Sequence, residues 1–365
     1  MNRKKLVRAA LAALVVAAAL AYFLVVVPRI IYGSAGVNRK PETFSFSLGR
    51  ARSISLCAVL AKTVALDFGD LDGAVVVDVG KGCENVYLEP ASLRAYVTDC
   101  WGNVHLVDGP SREGLRLVKS AKLADGKACG IDRGPGGFLY VAACDDWLGR
   151  GGGIYRVDSA LESAEKIAGD YPGLNGLTLD GRGNLYFAVS NMSFINGEGA
   201  IYKMRRKAGG DYREAEVFIP NLRCVDGMFY DAREGRICFT ETFSGVSTFR
   251  PGFMAVTCVL GKTAVFDFCD DLCTDARGNY WLADPGGFLK CYDAEAGELT
   301  RYKVNGCGRP ASCRIRLEDG EEVIYVTELK RRGGPAAALS RKCDGRGVVV
   351  IPLKELTKAG EDRST

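Results

Sequence analysis

The sequence has little net charge of either sign. Its 48 Lys and Arg against 44 Asp and Glu leave +4. No basic stripe with interleaved aromatics runs along it, which excludes a nucleic-acid partner. It also lacks a Cys-x-x-Cys pair with zinc-site spacing. Charge is absent altogether from residues 9–27, which follow Arg3, Lys4, Lys5 and Arg8. A run of that length can cross a bilayer as a helix. The apolar core of a cleaved signal is shorter, and only a weak cleavage site follows, at Gly33-Ser34-Ala35-Gly36. The expectation is an uncleaved transmembrane anchor with its N-terminus in the cytoplasm and the rest outside. A cleaved segment would instead make the chain secreted. Residues 1–33 then form the basic flank and anchor, and residues 34–43 a linker.

What the chain has in quantity is turns and short apolar strands. The stretch 174–190 reads as one strand, an Asp180-Gly181-Arg182-Gly183 turn, and a returning strand rich in aromatic and β-branched residues. With Asn175 as zero and Asp180 five residues on, the same frame recurs. It appears at Glu84 with Glu89, Lys127 with Asp132, Asp226 with Asp231, Asp270 with Asp275 and Cys313 with Glu318. The steps are 43, 48, 51, 44 and 43 residues. A period near ~45 with about four strands per unit is that of a β-propeller blade. Six frames predict an all-β, six-bladed propeller over residues 44–355, with a frayed tail at 356–365. Closing the ring requires an N-terminal strand in the last blade, and residues 74–79 are expected to supply it.

Fourteen cysteines fit an oxidising compartment. Cys129 with Cys144, and Cys83 with Cys100, flank the inner strands of the second and first blades. Each pair reads equally as a disulfide or as two packed thiols.

The inner strand of each propeller blade starts near the central channel. The six frames therefore bring Glu84, Lys127, Asn175, Asp226, Asp270 and Cys313 towards one axis. Four of these carry side-chain oxygens and three are carboxylates. Carboxylates packed without a counter-ion repel one another, and a divalent cation removes the repulsion. Oxygen donors favour Ca²⁺, with Mg²⁺ or Mn²⁺ as alternatives, over zinc or copper. Glu84, Asn175, Asp226 and Asp270 are the expected ligands.

In these residues the chain resembles the regucalcin/gluconolactonase (senescence-marker-protein lactonase) propellers. It is more distantly similar to diisopropyl fluorophosphatase, the paraoxonases and strictosidine synthase. The resemblance spans residues 84–353 and is strongest at 174–190, 225–240 and 269–287. It implies one catalytic metal held by a Glu of the first blade, Asn of the third and fourth, and an Asp of the fifth. Glu84, Asn175 and Asp270 match by type and frame, whereas Asp226 stands where the family has Asn. The implied reaction is hydrolysis of a small-molecule lactone or other ester, with Asp270 as base or nucleophile. Lys127 is a candidate for orienting an anionic substrate or stabilising an oxyanion, and Asp271 is a secondary polar candidate. Two departures mark the chain. Gly173 stands where sugar-acid lactonases place a substrate-binding Arg, and the single histidine, His105, cannot form the paraoxonase dyad. The alternatives are a non-catalytic extracellular propeller with a structural Ca²⁺ and a metal-free enzyme using one Glu.

Overall fold

A computed structural model describes residues 62–67, 70–80, 82–145, 151–190, 199–242, 245–261, 268–304, 308–329 and 347–362. The anchor at 1–33 and linker at 34–43 lie outside these residues. Among the described residues no helix is long and apolar enough to cross a membrane.

Six sheets form the blades of a propeller. The first holds β3 (Cys83–Leu88), β4 (Ala95–Asp99), β5 (Asn103–Asp108) and β6 (Arg116–Lys122). The second holds β7 (Ala128–Arg133), β8 (Leu139–Ala143), β9 (Gly153–Val157) and β10 (Ala164–Gly169). The third holds β11 (Leu174–Leu179), β12 (Leu185–Val189), β13 (Gly199–Met204) and β14 (Glu216–Leu222). The fourth holds β15 (Val225–Asp231), β16 (Arg236–Glu241), β17 (Gly245–Phe249) and β18 (Thr257–Gly261). The fifth is built on β19 (Leu272–Thr274), β20 (Tyr280–Asp284), β21 (Phe288–Asp293) and β22 (Glu298–Val304). The sixth has β23 (Pro310–Glu318), β24 (Glu321–Glu328) and β25 (Gly347–Pro352), and β2 (Val75–Asp78) pairs antiparallel with β25. The N-terminal segment thus closes the ring, as its position before the first frame predicts.

The second strands β4, β8, β12 and β20 are buried at every residue, because both faces pack against neighbouring blades. Their sequences are accordingly near-continuous apolar runs rather than alternating ones. The outermost β6 is mostly exposed.

The fourth strand of the fourth blade is Thr257–Gly261. A fifth strand, β1 (Lys62–Leu66), runs parallel to β22 on the edge of the fifth sheet. Residues 356–362 are not a frayed tail but part of a helix, α1 (Leu353–Asp362). Leu353 and Leu356 sit three apart on one helical face and bury in the core with Val64 and Tyr302.

Cys83, Cys100, Cys129 and Cys144 are free thiols, so neither candidate pair is bridged.

Candidate active site

Near the start of every inner strand the chain bulges. The register shifts between Cys83 and Val86, Ala128 and Ile131, Leu174 and Leu177, Val225 and Met228, and Pro310 and Ser312. In the fifth blade Asp270 N donates to Ala283 O, and Ala283 N donates to Asp271 O, so two residues again face one. Such bulges re-aim side chains and occur beside active sites. Here they set two rings. The first positions are Glu84, Cys129, Asn175, Asp226, Asp270 and Ala311. The second are Asn85, Gly130, Gly176, Gly227, Asp271 and Ser312.

Threonines near the ends of the second strands tie the rings together. Thr98 Oγ1 accepts from Asn85 N at 3.0 Å and donates to Cys129 O of the next blade at 2.6 Å. Thr240 accepts from Gly227 N and donates to Asp270 O. Thr327 accepts from Ser312 N and donates to Glu84 O. The equivalents of Glu84 in blades two and six are therefore Cys129 and Ala311, not Lys127 and Cys313. The missed signal was Thr followed by an acid, at Thr98-Asp99, Thr240-Glu241 and Thr327-Glu328.

Glycine at the second position lets neighbouring bulges touch. A Cβ on Gly176 would lie 2.1 Å from Asp226 O, and one on Gly227 would lie 2.2 Å from Asp271 Oδ1. These distances lie inside van der Waals contact.

Of the expected site residues, Asp226 and Asp270 meet directly, sharing a side-chain hydrogen bond. Loss of hydration pushes the Asp226 carboxyl up to about 6, against the lowering effect of that bond and of Lys127. Asp270 is pushed well above the usual carboxylate range, by burial first and then by the charge of Asp226. Thr242 Oγ1 donates to Asp226 Oδ2 at 2.7 Å and fixes it from just past the end of the second strand. Glu84 lies in the same field. Its Oε1 is 3.8 Å from Lys127 Nζ, and its Oε2 accepts from Cys100 Sγ at 3.3 Å. Lys127 thus reaches the site from one step outside the bulge. Asn175 occupies the third-blade bulge, the position equivalent to Glu84, Asp226 and Asp270.

Asp271 sits in the second ring. Its Oδ2 accepts from Asn85 Nδ2 at 3.1 Å, from Ser312 Oγ, and from Arg314 Nη1 at 2.7 Å. Its Oδ1 is buried without a hydrogen-bond partner. It braces the acidic ring rather than standing in it. His105 is remote in role, bonded to Asp99 at 3.0 Å and Ser120 at 2.8 Å.

Among the described residues, no three His, Cys, Asp or Glu side chains are gathered closely enough to hold a metal together. The donor chemistry nonetheless suits a hard cation. Two adjacent carboxyls are pushed up by burial, and a divalent cation would relieve that with oxygen ligands alone. Asp226 and Asp270 would hold it, with Glu84 and Asn175 at the equivalent bulges.

This is a propeller with the fold of the regucalcin and gluconolactonase type. Similar solved structures include a calcium-binding regucalcin from Agrobacterium tumefaciens str. C58, at TM-score 0.62 and 16% identity, covering 80% of this chain and 95% of that one. A luciferin-regenerating enzyme matches at TM-score 0.56 and 18% identity, over 77% and 96% of the two chains. A protein provisionally assigned as a gluconolactonase matches at TM-score 0.54 and 15% identity, over 78% and 94%. At these identities the likeness is one of fold. No protein-family profile and no curated protein sequence matches.

Proposed function

We propose that the chain is a hydrolase of lactones or other small esters that depends on a divalent cation, Ca²⁺ foremost. The hydrogen-bonded Asp226–Asp270 pair at adjacent bulges carries the reading. Two carboxyls sharing one proton are matched to acid–base work, since one can hold a proton while the other accepts one. A bound divalent cation supplies carbonyl polarisation and a more acidic water. Asp270 takes the proton of the attacking group or attacks directly. Asp226, steadied by Thr242, keeps the partner proton in place. Lys127, beside Glu84, is placed to orient an anionic substrate or offset charge on an oxyanion.

The test is a panel of lactones and aryl esters, assayed with and without chelator on the wild type and Asp270→Asn. Turnover that chelator and the substitution both abolish, with the fold kept, supports the hydrolase. Turnover with none of the panel, and a chelator effect on melting alone, would replace it with a binding propeller holding a structural ion.

Residues 9–27 are proposed as the membrane anchor, on their uncharged length. Carbonate extraction should leave the chain in the membrane pellet, and its release to the supernatant would overturn the anchor.

A further inference from the structure

The inner strands share one direction along the axis. They begin at the acidic ring and end at the hairpin turns, so the channel has a second mouth on the opposite face. A cavity of about 470 Å³ opens there, lined by the C-terminal halves of β3, β7, β11, β15 and β23. Its volume lies within the range of small-molecule sites.

Four arginines and two aspartates line it. Neither aspartate forms an ion pair with these arginines among the described residues. Asp132 accepts from Thr178 Oγ1, Leu179 N and Arg133 N. Asp180 accepts from Arg182 N, Asn184 N and Asn184 Nδ2 within its turn. Two arginines are also committed: Arg133 pairs with Glu89, and Arg314 with Asp271. The side chains of Arg182 and Arg206 are exposed and make no hydrogen bond or ion pair among the described residues. Phe229 and Tyr230 supply aromatic surface in the same wall.

We infer that this second mouth binds a small organic anion, with a flat or aromatic body and a carboxylate or phosphate head. Arginine forks match both heads in a bidentate manner, and aromatic walls take the body. The inference stands apart from the hydrolase reading, because no member of the acidic ring lines this cavity.

Calorimetric titration of the full chain tests it, using phenyl phosphate, benzoate, inorganic phosphate and benzylamine. Phenyl phosphate and benzoate should bind saturably at one site, and benzylamine should not. Losing charge-assisted bonds in Arg182→Ala/Arg206→Ala should weaken binding by about tenfold or more. Both positions are exposed, so an unchanged melting temperature is expected of this variant. Asp270→Asn should bind like the wild type. Failure of both aryl anions to bind, equal binding by the double arginine variant, or loss of binding in Asp270→Asn alone would each overturn the inference. Inorganic phosphate binding as tightly as phenyl phosphate would overturn its aromatic part.

Discussion

Asn85 and Asp271, 186 positions apart in the chain, meet near the propeller axis, with Asn85 Nδ2 donating to Asp271 Oδ2 at 3.1 Å. Ser312 joins them, so blades one, five and six are knotted at one carboxylate. Asp270 is the next residue in the chain, so the knot holds the proposed catalytic carboxyl in place.

Arg314 is the charge that makes the knot affordable. Its Nη1 donates to Asp271 Oδ2 and Leu272 O, and its Nη2 to Met228 O. Arg314→Met leaves a buried carboxylate unpaired and should cost about 3–5 kcal/mol. Urea denaturation checks this, and adding Asp271→Asn to that variant should recover part of the loss.

Gly227 is needed for space, not for backbone freedom. An added Cβ would press on Asp271 and Asp270 O. Gly227→Ala should therefore destabilise by about 1–3 kcal/mol. It should lower kcat as well, by displacing Asp270. A thermal melt and steady-state kinetics on one preparation separate the two effects.

Asp270→Asn should lower kcat by about 10²–10⁴-fold if the side chain does general acid–base work. Asp226→Asn should retain more activity, because an amide can still accept from Thr242.

The same pair predicts a pH dependence. Burial raises both carboxyls above their unfolded values, so the folded state favours their protonated forms. Their contribution to stability is whole below about pH 4 and drains away as pH rises through the folded value, which for Asp226 is about 6. In chelated protein, Asp226→Asn should melt higher than wild type at pH 8, and the gap should close at low pH. Added Ca²⁺ at pH 8 should raise the wild-type melting temperature more than that of Asp226→Asn/Asp270→Asn. Scanning calorimetry across pH reads both outcomes.

Much of this was legible in the sequence, for identifiable reasons. Turns such as Asp180-Gly181-Arg182-Gly183-Asn184 repeat their chemistry: Asp275 likewise accepts from Asn279 N and Asn279 Nδ2. Apolar second strands follow them, so blade number could be counted. Counting back five residues from the turn located Glu84, Asn175, Asp226 and Asp270 correctly at the bulges. It failed in blades two and six because hairpin length varies. In β7 the pairing extends past Asp132, and Gly134 N donates to Phe138 O where Asp180 N meets Asn184 O in blade three. In β23 pairing continues to Glu318 and Glu321 around Asp319-Gly320, both at positive φ. The supporting layer of Asn85, Ser312 and Arg314 was invisible, because its members meet only through closure of the ring. Helix α1 was missed because only one face of a short segment is apolar.

The early strands β1 and β2 give the chain a clasp. One is the outer edge of blade five and the other completes blade six, and both belong to the segment that precedes the first full blade. A protease cutting just after Asp78 would strip an edge from two adjacent sheets and leave the circle of blades with nothing to latch it. An intact ring of blades therefore needs the chain from Lys62 onward, and a truncation that begins after Asp78 should melt lower than one that begins before Lys62.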